Sequence, residues 1–152
     1  MIKKIVLLFV SGLIPFLSEA LDSRSDPELL KCATISYLKL IDQISCGHFS
    51  PEDGSPIISP SCKKILNGQL YTETREDFLN DLYSVYSAQG SWKIRLKDLF
   101  IDPESNASVL RLFIEMEKLG IYTAIVILRY DSDYLITEIN EVLTQVTGSY
   151  NF

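Results

Sequence analysis

Histidine is nearly missing from this chain: His48 is the single copy in 152 residues. Cysteine is scarce as well, at three residues, and no Cys-x-x-Cys or Cys/His spacing of the kind that holds zinc is present, so no metal site is expected. Basic residues are few, with 14 Lys and Arg against 20 Asp and Glu for a formal net charge of −6. A duplex-binding surface needs clustered Lys and Arg to release counterions, so nucleic acid is not an expected partner. Anionic membrane surfaces are disfavoured on the same ground. A spanning segment is not expected either. The apolar run from Ile5 to Leu17 is interrupted by Ser11 and Gly12 and carries Pro15 near its end; it falls short of the roughly 20 residues that cross a bilayer.

That run fits a different role. Lys3 and Lys4 precede it and Ser18-Glu19-Ala20 follows it, with small residues three and one before a cut after Ala20. Residues 1–20 therefore read as a cleavable secretory signal peptide, and the mature protein is expected to be periplasmic or secreted. Removing them takes away two lysines and Glu19, leaving 12 basic and 19 acidic residues and a net charge of −7. Export makes a disulfide feasible among Cys32, Cys46 and Cys62. Cys32 and Cys46 fall on one expected helix about 21 Å apart at 1.5 Å per residue, too far to bridge. Cys46 at the end of that helix and Cys62 beyond the following loop are the candidate pair; three buried free thiols are the alternative.

At 47% hydrophobic and 22% charged, the rest of the chain fits one globular domain, placed at 26–146 between a leader at 21–25 and a tail at 147–152. Asp26 is a helix N-cap with Pro27 at the first helical position and Glu28 where the helix dipole favours an acid. Leu30, Ala33, Tyr37, Leu40, Ile41 and Ile44 give this helix one apolar face until Gly47 stops it. Residues 47–61 carry Gly47, Pro51, Gly54, Pro56 and Pro60 and read as a loop. Ser59-Pro60 then resembles a second N-cap and first-turn pair, which predicts a two-turn helix ending at Asn67-Gly68. Thr74-Arg75-Glu76-Asp77 is a capping-box variant that starts a third helix, with Phe78, Leu79, Leu82, Val85 and Tyr86 as its apolar stripe and Gly90 at its end.

Four alternating segments follow. Trp92, Ile94 and Leu96 alternate with Lys93, Arg95 and Lys97, and after a turn at Asp102–Asn106, Leu110, Leu112, Ile114 and Met116 alternate with Arg111, Phe113, Glu115 and Glu117. A turn centred near Pro103 or Glu104 sets Lys93 opposite Glu115, so the basic row is a partner for the acidic row. Ile121 to Tyr130 is apolar on both faces, which suggests a central strand with the core on one side and a subunit interface on the other. Asp131-Ser132-Asp133 turns the chain into a last strand from Tyr134 to Val146. The fold class is therefore α+β: three N-terminal helices packed into a curved antiparallel four-strand meander.

This element order, with the phrases Lys63-Lys64-Ile65-Leu66-Asn67-Gly68 and Gly90-Ser91-Trp92-Lys93-Ile94, resembles the nuclear-transport-factor-two-like superfamily, which includes SnoaL-like polyketide cyclases, ketosteroid isomerases and scytalone dehydratases. The resemblance implies a cystatin-like cone in which the sheet curls around the long helix and leaves an apolar cavity, while the convex face makes a homodimer. Trp92, Ile94, Leu110, Leu112 and Ile114 are the expected lining, closed by the first helix with Tyr37 pointing inward.

Enzymes of the superfamily place an acid/base set in the cavity, where burial and proximity leave one group holding a proton and its partner ready to take one. His48, in the Gly/Pro/Ser loop, reads as a solvated histidine rather than such a group. Tyr37 with Glu138 is the candidate catalytic pair, set against a core tyrosine with a satisfied hydroxyl; Arg129 and Asn140 are further strand residues that can reach an interior. Asn106-Ala107-Ser108 matches a glycosylation sequon. The expected function is an exported, non-catalytic binding or assembly domain that takes a small apolar ligand or a protein partner and needs no cofactor. The alternative is an isomerase, cyclase or dehydratase using an acid/base pair in the cavity.

Overall fold

In a computed structural model, the structure describes residues 25–146. The expected signal peptide, the residues up to 24 and the tail at 147–152 lie outside that range. Among the described residues the elements are α1 (Pro27–Ser45), a 3-10 turn (Pro51–Gly54), β1 (Ile58–Leu66), β2 (Gln69–Thr72), α2 (Arg75–Gln89), β3 (Trp92–Asp102), β4 (Ala107–Met116), β5 (Gly120–Tyr130) and β6 (Ile136–Gln145). No helix among them is long and apolar enough to cross a membrane.

The caps form as their residue types dictate. Asp26 Oδ1 accepts from the Glu28 amide at 2.9 Å, and Thr74 Oγ1 accepts from the Asp77 amide at 3.1 Å. Asp77 does not complete the box at the Thr74 amide; its carboxylate accepts from the Thr74 hydroxyl instead. Gly90 closes α2 at φ 81° and ψ −164°, a region that glycine alone enters freely, rather than in the left-handed helical conformation.

Among the described residues the expected three helices and four strands become two α-helices and six strands, because residues 58–66 are a strand and not a short helix. Ile58, Cys62 and Lys64 face the interior, and β1 pairs in parallel with β6 through Lys63–Glu138, Lys64–Ile139 and Leu66–Glu141. Pro60, which lacks an N–H for a ladder bond, falls in the irregular stretch between Ile58 and Lys63. Asn67 and Gly68, with φ of 50° and 80°, are the two positive-φ residues that a type I′ hairpin requires, joining Leu66 to Gln69. The dipeptide expected to stop a helix is a hairpin turn.

The sheet order is β2-β1-β6-β5-β4-β3, so the predicted meander is present with a hairpin added beside its last strand. Lys93 stands opposite Glu115, as the turn at Asp102–Asn106 predicts, although the Glu115 carboxylate reaches Arg95, 4.0 Å away. Bulges between Leu96 and Asp98 and at the Arg129/Tyr130 step bend the sheet. α1 lies across β3 and β4, while α2 packs on β1 and β2. Between them, Leu30, Leu40, Ile44, Leu110, Leu128 and Ile139 form a core that excludes water almost completely. A closed ring of hydroxyls from Thr34, Ser108 and Tyr130, 2.8–3.0 Å apart, is buried in the same core. Each member has a partner, so the ring carries no orphaned polar atom.

The expected disulfide does not form, for an identifiable reason. Cys46 and Cys62 do not bridge: all three cysteines are free, with Cys32 and Cys46 exposed and Cys62 buried. Strand β1 points Cys62 into the core, where burial, followed by the Glu138 charge, pushes its thiol pKa up to about 12. In the sequon, the Asn106 amide nitrogen donates to the carbonyls of Tyr130 at 2.8 Å and Asp131 at 3.0 Å.

Candidate functional site: an apolar cavity with a buried ion pair

Concave-face residues of the sheet, from β1 and β2 through β6, β5, β4 and β3, with the inner sides of α1 and α2, surround an open-mouthed cavity of about 160 Å³. Tyr37, Trp92, Ile94, Leu112 and Ile114 stand on its wall. Leu110 does not; it is fully buried further along β4, opposite Leu99. Phe78, Leu82 and Val85 of α2 form the opposite side, and Tyr86 meets Trp92 edge-on at 6.4 Å.

Glu138 is not in the cavity. It faces outward beside Arg129, whose Nε lies 3.4 Å from the Glu138 carboxylate. Arg129 pairs with Glu138 in the ladder but Tyr130 pairs with Ile136, so Thr137 is an extra residue on β6. Counted in twos from Ile136, Glu138 falls on the inner face; beyond the extra residue, Ile139, Glu141 and Leu143 point inward instead.

Glu141 is therefore the strand carboxylate on the cavity wall, and it does not stand alone. Lys64 Nζ lies 3.1 Å from Glu141 Oε2, with the two side chains only 9% and 13% exposed. The ammonium is flanked by two rings, Tyr71 at 5.8 Å and Phe78 at 5.4 Å. Taking two charges out of water is costly, and a close, aligned partner with favourable ring faces offsets that cost. Residue types alone place Lys64 on a short helix, which hides it from the cavity. The alternation Cys62-Lys64-Leu66 ahead of an Asn-Gly turn is the strand signal that finds it.

Tyr37 is inside as expected. Its phenol is held well above the ordinary value, first by burial and then by the Glu141, Cys62 and Tyr130 charges, so the hydroxyl keeps its proton. At the mouth, the Tyr71 hydroxyl donates to Asp81 Oδ1 at 3.0 Å. That hydrogen bond, then the Asp81 charge, raises the Tyr71 phenol as well. His48 is exposed and away from the cavity lining.

No protein-family model matches the sequence. No curated protein matches it either. Solved structures do match in three dimensions. A protein of unknown function with a cystatin-like fold from Methylobium petroleophilum PM1 superposes with a TM-score of 0.66 at 11% identity, covering 82% of each chain. The fold is that of the SnoaL-like, nuclear-transport-factor-two-like proteins. A protein assigned as a SnoaL-like polyketide cyclase from Jannaschia sp. CCS1 superposes with a TM-score of 0.60 at 7% identity, over 73% of this chain and 84% of that one. An epoxide hydrolase of the LEH-like type from M. tuberculosis gives 0.61 at 10% identity, over 79% and 86%. At these identities the likeness is one of fold, and the SnoaL-like cone hosts both enzymes and proteins without an assigned activity.

Proposed function

We propose that this SnoaL-like domain binds a small, mainly apolar molecule in its cone without turning it over. The observation that carries this is the cavity itself: about 160 Å³ of mainly apolar wall whose inner charges, Lys64 and Glu141, satisfy one another, while Asp81 at the mouth accepts from the Tyr71 hydroxyl. A void of that size accepts a one-ring ligand, by comparison with the benzene site of roughly 150 Å³ engineered in another protein. Trp92, the chain's one tryptophan, lines the cavity and reports directly on occupancy. Titration with one-ring apolar probes is expected to give a saturable change in Trp92 emission. It should also raise unfolding stability by about 2.7 kcal/mol at a hundred times Kd. An unchanged emission spectrum and midpoint across such a panel would show the cavity to be a packing defect only.

A second reading is favoured by one feature: Glu141 and the protonated Tyr37 share the cavity and interact electrostatically. A carboxylate and a phenol in one largely apolar site are what an isomerase, cyclase or dehydratase needs. Against it, the Glu141 oxygen is engaged by the Lys64 ammonium, with which a substrate proton has to compete. Recovery of bound ligand unchanged after long incubation supports binding alone; conversion that disappears in Tyr37→Phe and in Glu141→Gln establishes the enzyme instead.

The reading extends to where the domain works and with what. Export is supported by Lys3-Lys4, the apolar run and Ser18-Glu19-Ala20. The protein from its native host is expected to begin at Leu21, and an N-terminus at Met1 contradicts export by cleavage. A second copy of the chain is the proposed partner of the convex face. Phe100, Ile125 and Val142 are exposed there at 68%, 39% and 51%, with Ile125 opposite Val142. Ion pairs of both signs flank them, Arg111–Asp98 and Arg129–Glu138, which suits a surface that meets itself about a two-fold axis. In size-exclusion chromatography the native chain is expected at dimer size and Ile125→Lys at monomer size; monomer-sized peaks for both eliminate the dimer.

A further inference from the structure

The charge state of the ligand can be read from the same wall. Lys64 and Glu141 place one positive and one negative charge 3.1 Å apart, so the inner wall is polar at one spot and neutral there, while Asp81, the other charge on the lining, stands at the mouth and accepts from Tyr71. A carboxylate ligand that takes Lys64 leaves Glu141 without its partner. An ammonium ligand that takes Glu141 does the same to Lys64. Either way three charges meet at a buried spot where two balance, on side chains only 9% and 13% exposed, which costs more than the new contact returns.

A neutral hydroxyl meets no such obstacle. Of the ammonium's three N–H groups one is directed at Glu141, and the carboxylate keeps acceptor sites on its second oxygen. The pair thus offers a donor and an acceptor side by side, and a hydroxyl is the smallest group that uses both at once. Tyr71 and Phe78 flank the ammonium with ring faces, so an aromatic or aliphatic ring attached to that hydroxyl continues an apolar wall. Resting on the ligand-binding reading above, we propose that the cavity selects net-neutral, one-ring hydroxyl compounds, anchored by a hydroxyl that bridges Lys64 and Glu141, and discriminates against ions of either sign.

Four probes of one shape test this at neutral pH through Trp92 emission: toluene, p-cresol, p-toluate and benzylammonium. The phenol is neutral there, its pKa being close to the tyrosine value of about 10. The expected order is p-cresol first, toluene several-fold weaker, and p-toluate and benzylammonium at least about tenfold weaker than p-cresol. A double variant, Lys64→Met with Glu141→Leu, keeps the volume apolar; in it toluene is expected to equal or surpass p-cresol. If either ion binds best, or if p-cresol keeps its advantage in the double variant, neutral selection by the pair is wrong while ligand binding stands. If none of the four binds, the ligand-binding reading has failed and this one fails with it.

Discussion

Glu141→Ala is expected to lower stability by about 3 kcal/mol, several times the effect of removing Glu138 three residues away. The difference lies in solvent. Lys64 Nζ and the Glu141 carboxylate sit 3.1 Å apart on side chains that are 9% and 13% exposed, so deleting the carboxylate strands an ammonium in an apolar wall. Arg129 and Glu138 are 52% and 32% exposed at 3.4 Å, where water and salt screen the pair and measured contributions stay under about 1 kcal/mol. Breaking a fully buried pair by removing one member costs about 3–5 kcal/mol, and the open mouth of this cavity places Glu141→Ala at the lower end. The stranded charge, more than the missing attraction, produces the loss. Replacing both members, Lys64→Met with Glu141→Leu, should therefore recover most of it. Urea unfolding followed by Trp92 emission reads all three proteins with the same probe. A midpoint for Glu141→Ala no lower than that for Glu138→Ala means that the pair is solvated and that the cavity is wetter than its walls imply.

This pair was also the part of the site least legible in the sequence, for a reason that concerns register. Local signals acted where the chain needs only its neighbours: Asp26 and Thr74 cap their helices, Asp102–Asn106 turns, and Lys93 faces Glu115. Alternation likewise placed Trp92, Ile94, Leu112 and Ile114 on one face. The errors arose where a distant strand decides. Ser59-Pro60 has the residue types of a helix start, yet the edge of β6 offers residues 58–66 a parallel ladder, and tertiary pairing overrides the local preference. One extra residue, Thr137, then exchanges the faces of Glu138 and Glu141. Since a bulge is fixed by the partner strand, counting in twos along β6 cannot locate it. The doubly apolar character of β5 has a two-sided origin as well. Ala124, Val126 and Leu128 enter the core, while Ile125 is left on the convex surface.

Phe78→Ala is expected to cost about 3–5 kcal/mol, the largest single loss for a residue of α2. The helix presents only Phe78 and Leu79 as fully buried residues, so most of its hold on β1 and β2 passes through this corner. Phe78 is 1% exposed, and its ring serves three surfaces at once: the core, the cavity wall and one face of the Lys64 ammonium at 5.4 Å. Truncation removes the apolar contacts and the ring face together. It also enlarges a cavity that is already present, so neighbouring side chains have little reason to close in. Phe78→Leu keeps most of the volume and should cost less than about 1.5 kcal/mol. Tyr83, exposed on the outer side of the same helix, should tolerate alanine within about 0.5 kcal/mol. Equilibrium urea midpoints at unchanged slope give the comparison. A loss below about 1 kcal/mol for Phe78→Ala contradicts the picture of α2 as a wall anchored at this ring. A loss of the expected size, combined with tighter binding of two-ring than one-ring probes in the same variant, ties the anchoring residue to the dimensions of the cavity it bounds.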